Sequence, residues 1–204
     1  MRIIVVGAEG DIGKAVCDEL GSRHAIIKAS RSSGDFQVDM ADRVSLDAMY
    51  AKCGKVDAVI STAGNVHFGS LGKYTEETFM LGLRHKVMGQ VNLVLAGLAT
   101  VSDGGSFTLT SGVLDRDPIR MGTGAATANG ALGGFVLGAA IEMPRGLRIN
   151  VVSPGLLDVS CRDMASGSPV TSPFRRNGWA RLCEERGRGH HRPSDHRRVV
   201  SQKS

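Results

Sequence analysis

The chain has 204 residues, 42% of them hydrophobic, with 27 glycines but one tryptophan and two tyrosines. That suits one domain with an aliphatic core and excludes both a collagen-like repeat and a wholly disordered chain. The net charge of +5 is local: residues 1–172 hold 16 Lys and Arg against 17 Asp and Glu, whereas residues 173–204 hold nine against three.

Apolar, β-branched runs alternate with helix-like segments. Arg2–Val6 reads as a buried strand and 11–21 as the helix after it. Strands are expected at 24–29 and 35–38, a short helix at 43–52 and a further strand at 56–60. Thr75 can cap a long helix reaching about residue 99, with Glu76 and Glu77 complementing the dipole in its first turn. A strand at 106–110, a Gly- and Ala-rich helix at 122–142 and a strand at 147–152 follow. Strand and helix in alternation predict an α/β fold, a single doubly wound parallel sheet with right-handed crossovers.

Gly7-Ala8-Glu9-Gly10-Asp11-Ile12-Gly13 stands between the first strand and the first helix, the setting a dinucleotide-binding loop needs. Gly7 can turn sharply, Gly10 lets the backbone approach a pyrophosphate, and Gly13 permits close helix–strand packing. The helix N-terminus then offers N–H groups to the phosphates. A glycine-rich turn without a ligand is the alternative. After the second strand, an NAD site places an acid against the ribose 2′-OH. Here the chain reads Ser30-Arg31-Ser32-Ser33, with no acid before Asp35. Arg31 can neutralise a 2′-phosphate and Ser32 can hydrogen-bond it, so NADP is expected rather than NAD.

With these features in order, residues 1–160 resemble the short-chain dehydrogenase/reductase family, whose sheet is of the Rossmann type. Asp39-Met40 looks like the pair that holds the adenine. Ser61-Thr62-Ala63-Gly64 is similar to the family's Asn-Asn-Ala-Gly turn. Ser111 ends the fifth strand, where the family keeps its catalytic serine, and Arg148 to Gly155 resembles the sixth strand with its Pro154-Gly155 turn beside the nicotinamide. The resemblance implies an oxidoreductase acting on a small carbonyl or alcohol substrate. It also implies a homodimer packed through the fourth helix and the Gly/Ala-rich helix, although core packing within one chain would also use those small residues.

The family's Tyr-x-x-x-Lys is missing: Ala125 stands at the tyrosine and Asn129 at the lysine. The family's Asn in the fourth helix is Lys86 here, three residues before Gly89, so Asn and Lys look exchanged between two helices. The exchange is either a rearranged catalytic group of Ser111, Lys86 and Asn129, or a coincidence of a solvated lysine and a packing amide. His67, Tyr74 and His85 lie near the site but suit surface roles. Val159 replaces the threonine of the family's Pro-Gly-x-x-x-Thr, with Ser160 one residue on.

The fold is expected to lack the family's last strand, because residues 173–204 turn abruptly to Arg, His and Gly with no sustained apolar period. A reading-frame shift in a G+C-rich gene would produce such a break. The tail's aromatic content is too low for a nucleic-acid arm, and Cys183, His190, His191 and His196 fit no standard metal finger. Four cysteines without a CxxC pair, no secretory signal and no run of about 20 apolar residues point to a reduced, cytoplasmic protein without a membrane segment or metal.

Overall fold

The computed structural model describes residues 1–155, so the expectations for the last strand, Val159, Ser160 and the basic tail lie outside the described residues. Six parallel strands form one sheet in the order β3-β2-β1-β4-β5-β6. They are β1 Arg2–Val6, β2 Ala25–Ser30, β3 Phe36–Gln37, β4 Val56–Ser61, β5 Val101–Thr110 and β6 Arg148–Val152. The helices are α1 Asp11–Gly21, α2 Arg43–Cys53, α3 Glu76–Gly82, α4 Gly89–Gly97 and α5 Thr123–Ala140. The strand order reverses between β1 and β4, and a crevice opens beyond the carboxyl ends of strands at such a point.

The pleat divides the core between two faces. Ile4 and Val6 belong to the larger cluster with Leu46 and Tyr50 of α2, Leu93 of α4 and Leu132 and Val136 of α5. Ile3 and Val5 face the other way, onto Val16, Cys17 and Leu20 of α1. Ile4, Leu93, Phe107, Leu109 and Leu132 of the larger cluster and Val5 of the smaller are wholly buried, so both layers close mainly on aliphatic side chains.

Two elements differ from the sequence expectation. Strand β5 begins at Val101 rather than 106, and its register on β4 shifts between Val56 and Ala58. Gly104 takes a φ of +70°, which lets the polar Ser-Asp-Gly-Gly stretch continue the strand instead of ending it. The expected long helix is interrupted: Leu83–Met88 forms a π-helical turn between α3 and α4. Thr75 caps α3 as expected, its hydroxyl accepting from the Thr78 amide and its own amide donating to the Thr78 hydroxyl in a reciprocal capping box.

Candidate active site

The glycine loop leaves β1 at the switch point. Gly7 has a φ of +85°, and a Cβ there would lie 2.8 Å from Thr62 Oγ1. Thr62 in turn donates its hydroxyl to the carbonyls of Val6 and Gly7, tying the segment after β4 to the loop. A Cβ on Gly13 would stand 2.1 Å from the Gly7 carbonyl oxygen, so only glycine lets α1 approach this closely. The N-cap of α1 is Gly10, which has no side chain to satisfy the first-turn N–H groups. Those amides therefore await an acceptor from outside the helix, and a pyrophosphate fits that need.

A cleft of about 310 Å³ opens from this loop. Its walls include Gly7 and Gly10, Arg31 and Ser32 after β2, Asp39 and Met40 after β3, and Thr62, Ala63 and Gly64 after β4. Asp11, Ile12 and Gly13 sit behind it, at the start of α1. The turn after β2 is fixed locally: Ser30 Oγ donates to the Ser33 carbonyl at 2.7 Å and accepts from the Ser33 amide at 3.0 Å. Asp35, the nearest acid after that strand, is turned back onto the sheet edge, where it accepts from the Lys28 amide at 2.8 Å. Asp39 accepts from the Ala41 amide with one carboxylate oxygen, while Met40 is buried. A dinucleotide fits this cradle: bare amides lie at the phosphate end and a guanidinium with hydroxyls on the wall that would face the ribose.

The second half of the site lies at the ends of β4 and β5. Lys86, in the π-helical turn, lies across Gly64, where a Cβ would be 2.8 Å from Lys86 Cγ. Its ammonium donates to the Ser111 carbonyl at 2.9 Å. Burial lowers the Lys86 pKa to about 8, against a smaller opposing pull from Asp115. Asn129 packs over Gly112 in the same manner: a Cβ on Gly112 would lie 2.9 Å from Asn129 Nδ2. Asn129 is buried and its Oδ1 has no hydrogen-bond partner among the described residues. Lys86 and Asn129 thus reach the two strand ends from separate helices, each across a glycine. Ala125, one turn before Asn129, is buried too.

The Ser111 hydroxyl donates to the Val152 carbonyl over 3.4 Å, a long and weak bond, while its amide donates to the same oxygen at 2.9 Å. Pro154 accepts from the Val113 amide at 3.1 Å and ties the segment after β6 to that after β5. Tyr74 serves as a structural tie. Its hydroxyl donates to the His67 carbonyl at 2.9 Å and accepts from the Gly124 amide at 3.1 Å. It pins the loop after β4 to the start of α5, and the His67 ring packs edge-on against it.

Three contributors, Glu9, Asn65 and Gln90, were not singled out in the sequence. Glu9 and Asn65 line the cleft, as does His85, for which a surface role was expected. Gln90 is wholly buried and bonds Thr110 twice, donating to its carbonyl at 3.0 Å and accepting from its amide at 2.9 Å. Gln90 follows Lys86 by four residues, which puts both on one face of the helix. A polar residue at a core-facing position was the available signal.

Residues 11–180 match the sequence model of a family described as enoyl-(acyl carrier protein) reductase. A protein of Listeria innocua with a known crystal structure is 42% identical, with a TM-score of 0.79, 91% of this chain covered and 92% of that one. A small-chain dehydrogenase crystallised with NADPH is 27% identical, with a TM-score of 0.72 and 83% of either chain covered. An uncharacterized oxidoreductase of Methylorubrum extorquens is 24% identical over 86% of this chain and 84% of its own length. With the glycine loop, the 3-2-1-4-5-6 sheet and these likenesses together, the chain has an NAD(P)-binding oxidoreductase fold and belongs to the short-chain dehydrogenase/reductase family.

Proposed function

We propose that the protein is an NADP(H)-dependent oxidoreductase that interconverts a small carbonyl and its alcohol through an altered active site. The observation that carries the cofactor choice is the pairing of Arg31 and Ser32 on the cleft wall with Asp35 turned away to Lys28. A 2′-phosphate there meets a cation and a hydroxyl in place of a carboxylate. When bound, the nicotinamide supplies or accepts the hydride. Gly7, Gly10 and the first turn of α1 hold the phosphates, Asp39 and Met40 the adenine, and Pro154 closes the nicotinamide end.

Ala125 carries no proton, so Lys86 is assigned the acid or electrostatic role at the carbonyl oxygen. A buried amine with a pKa of about 8 is charged at neutral pH yet able to give up its proton. Ser111 orients the carbonyl after its loose bond to Val152 is exchanged, and Asn129 offers an acceptor from α5. The protein works as a homodimer in the cytoplasm. Among the described residues no helix is long and apolar enough to cross a membrane.

The test is titration of the full chain with NADPH and NADH, by fluorescence and thermal shift, followed by turnover on a carbonyl panel. Saturable NADPH binding is expected, with turnover lost in Lys86→Met and Ser111→Ala while binding survives. A second reading, a non-catalytic NADP(H)-binding sensor or scaffold, draws support from Ala125 and from the Ser111 hydroxyl turned onto the β6 backbone. It predicts binding without turnover on every member of the panel.

A further inference from the structure

The cleft that carries Arg31 also carries an acid. Glu9 lies between Gly7 and Gly10, is exposed, and lines the same opening as Arg31 and Ser32. Among the described residues neither Glu9 nor Arg31 takes part in an ion pair or a side-chain hydrogen bond. Two opposite charges therefore face one opening of about 310 Å³ with no neighbouring side chain committed to neutralising either. A loop that exists to approach phosphates is an unfavourable place for a carboxylate, because each anion raises the cost of bringing in the next.

We propose that Glu9 is a determinant of cofactor choice that counterweights Arg31 and narrows the preference for the 2′-phosphorylated dinucleotide. The inference rests on the cleft holding a nicotinamide dinucleotide, as proposed above. A 2′-phosphate brings close to two negative charges into the opening. It is drawn to Arg31 and repelled by Glu9. An unphosphorylated ribose brings no charge there, and its hydroxyl can donate to the Glu9 carboxylate. Glu9 therefore disfavours NADPH while leaving NADH unharmed or slightly helped, and Arg31 does the reverse.

The experiment is fluorescence titration of NADPH and NADH into the full chain as wild type, Glu9→Gln and Glu77→Gln. The last removes the same charge from an exposed position on α3, away from the cleft. Glu9→Gln is expected to tighten NADPH about three- to tenfold and to leave NADH unchanged or weaker, with the gap shrinking as salt is added. Glu77→Gln is expected to move neither. A thermal melt of each variant checks that the exposed substitution has left the fold intact. An equal gain for both cofactors would assign Glu9 to the shared pyrophosphate and overturn the proposal, as would no change in either. Wild type and variants that bind neither nucleotide would remove the cleft assignment itself, and this inference with it. NADPH binding with an unmoved ratio removes the inference alone.

Discussion

Lys86 shows how a single side chain ties stability to chemistry. Its ammonium is held by one carbonyl in a site that withholds water, so burial lowers its pKa from 10.5 to about 8. The sign follows from proton counting. Between about pH 8 and 10.5 the unfolded chain keeps the proton at this lysine and the folded chain has released it. Stability therefore rises with pH across that window. Below it both forms are charged and the full net penalty is felt, about 3 kcal/mol. Lys86→Met should remove this dependence and stabilise the protein most at pH 7, with the two melting curves converging toward pH 10.5. Urea unfolding at several pH values reads it directly. A wild-type profile parallel to that of Lys86→Met would show that the ammonium is better solvated than its burial implies. The residue was visible in the sequence as the partner of Asn129 in an exchange. That each lies across a glycine, Gly64 and Gly112, was not visible, because those approaches depend on where two strands end.

The elements carrying these groups were legible to different degrees. Strand β1, helix α1 and the loop between them follow directly from RIIVV and the glycine spacing, since Gly7 and Gly13 answer local steric needs. The π-helical turn has no such signature. Leu83–Met88 contains ordinary helix formers, so nothing local in the sequence marks the extra residue per turn. Gln90 ties α4 to β5 by occupying both backbone hydrogen-bonding groups of Thr110 at the strand's carboxyl end. Thr110 also donates its hydroxyl to the Ser61 carbonyl at 2.7 Å, so the ends of β4, β5 and α4 are joined through one residue. Gln90→Leu keeps the volume but leaves a buried amide and a buried carbonyl unpaired. A loss of roughly 3 kcal/mol is expected in chemical unfolding. Because Lys86 grips the next residue, Ser111, the same substitution should also lower turnover in the remaining folded protein. A stability loss below about 1 kcal/mol would mean that water replaces the amide and that the staple is dispensable.

At the scale of the molecule, the parallel sheet and its switch point were legible because strand, loop and helix signals agree along the chain. The surfaces left by that fold were not, since exposure depends on which helices share a face. The larger core cluster gathers α2, α4 and α5 on one face of the sheet, and α4 and α5 still carry exposed apolar side chains on their outward sides. Leu95 is 46% exposed, Leu137 57% and Ile141, just past the end of α5, 78%. A Cβ added at Gly130, Gly133, Gly134 or Gly138 would meet nothing within 4 Å, so this side of α5 is low and open around Leu137. Small residues on a helix let a second helix come near, and a second copy meeting the same surface in two-fold fashion would cover the leucines. Sedimentation velocity of the wild-type chain is expected to give a dimer. Leu137→Glu should give a folded monomer, because a carboxylate at the centre of a self-complementary patch opposes its own copy across the axis. If the wild type sediments as a monomer at micromolar concentration, the patch is ordinary exposed surface and the homodimer falls. If Leu137→Glu stays dimeric, the contact lies elsewhere on the molecule.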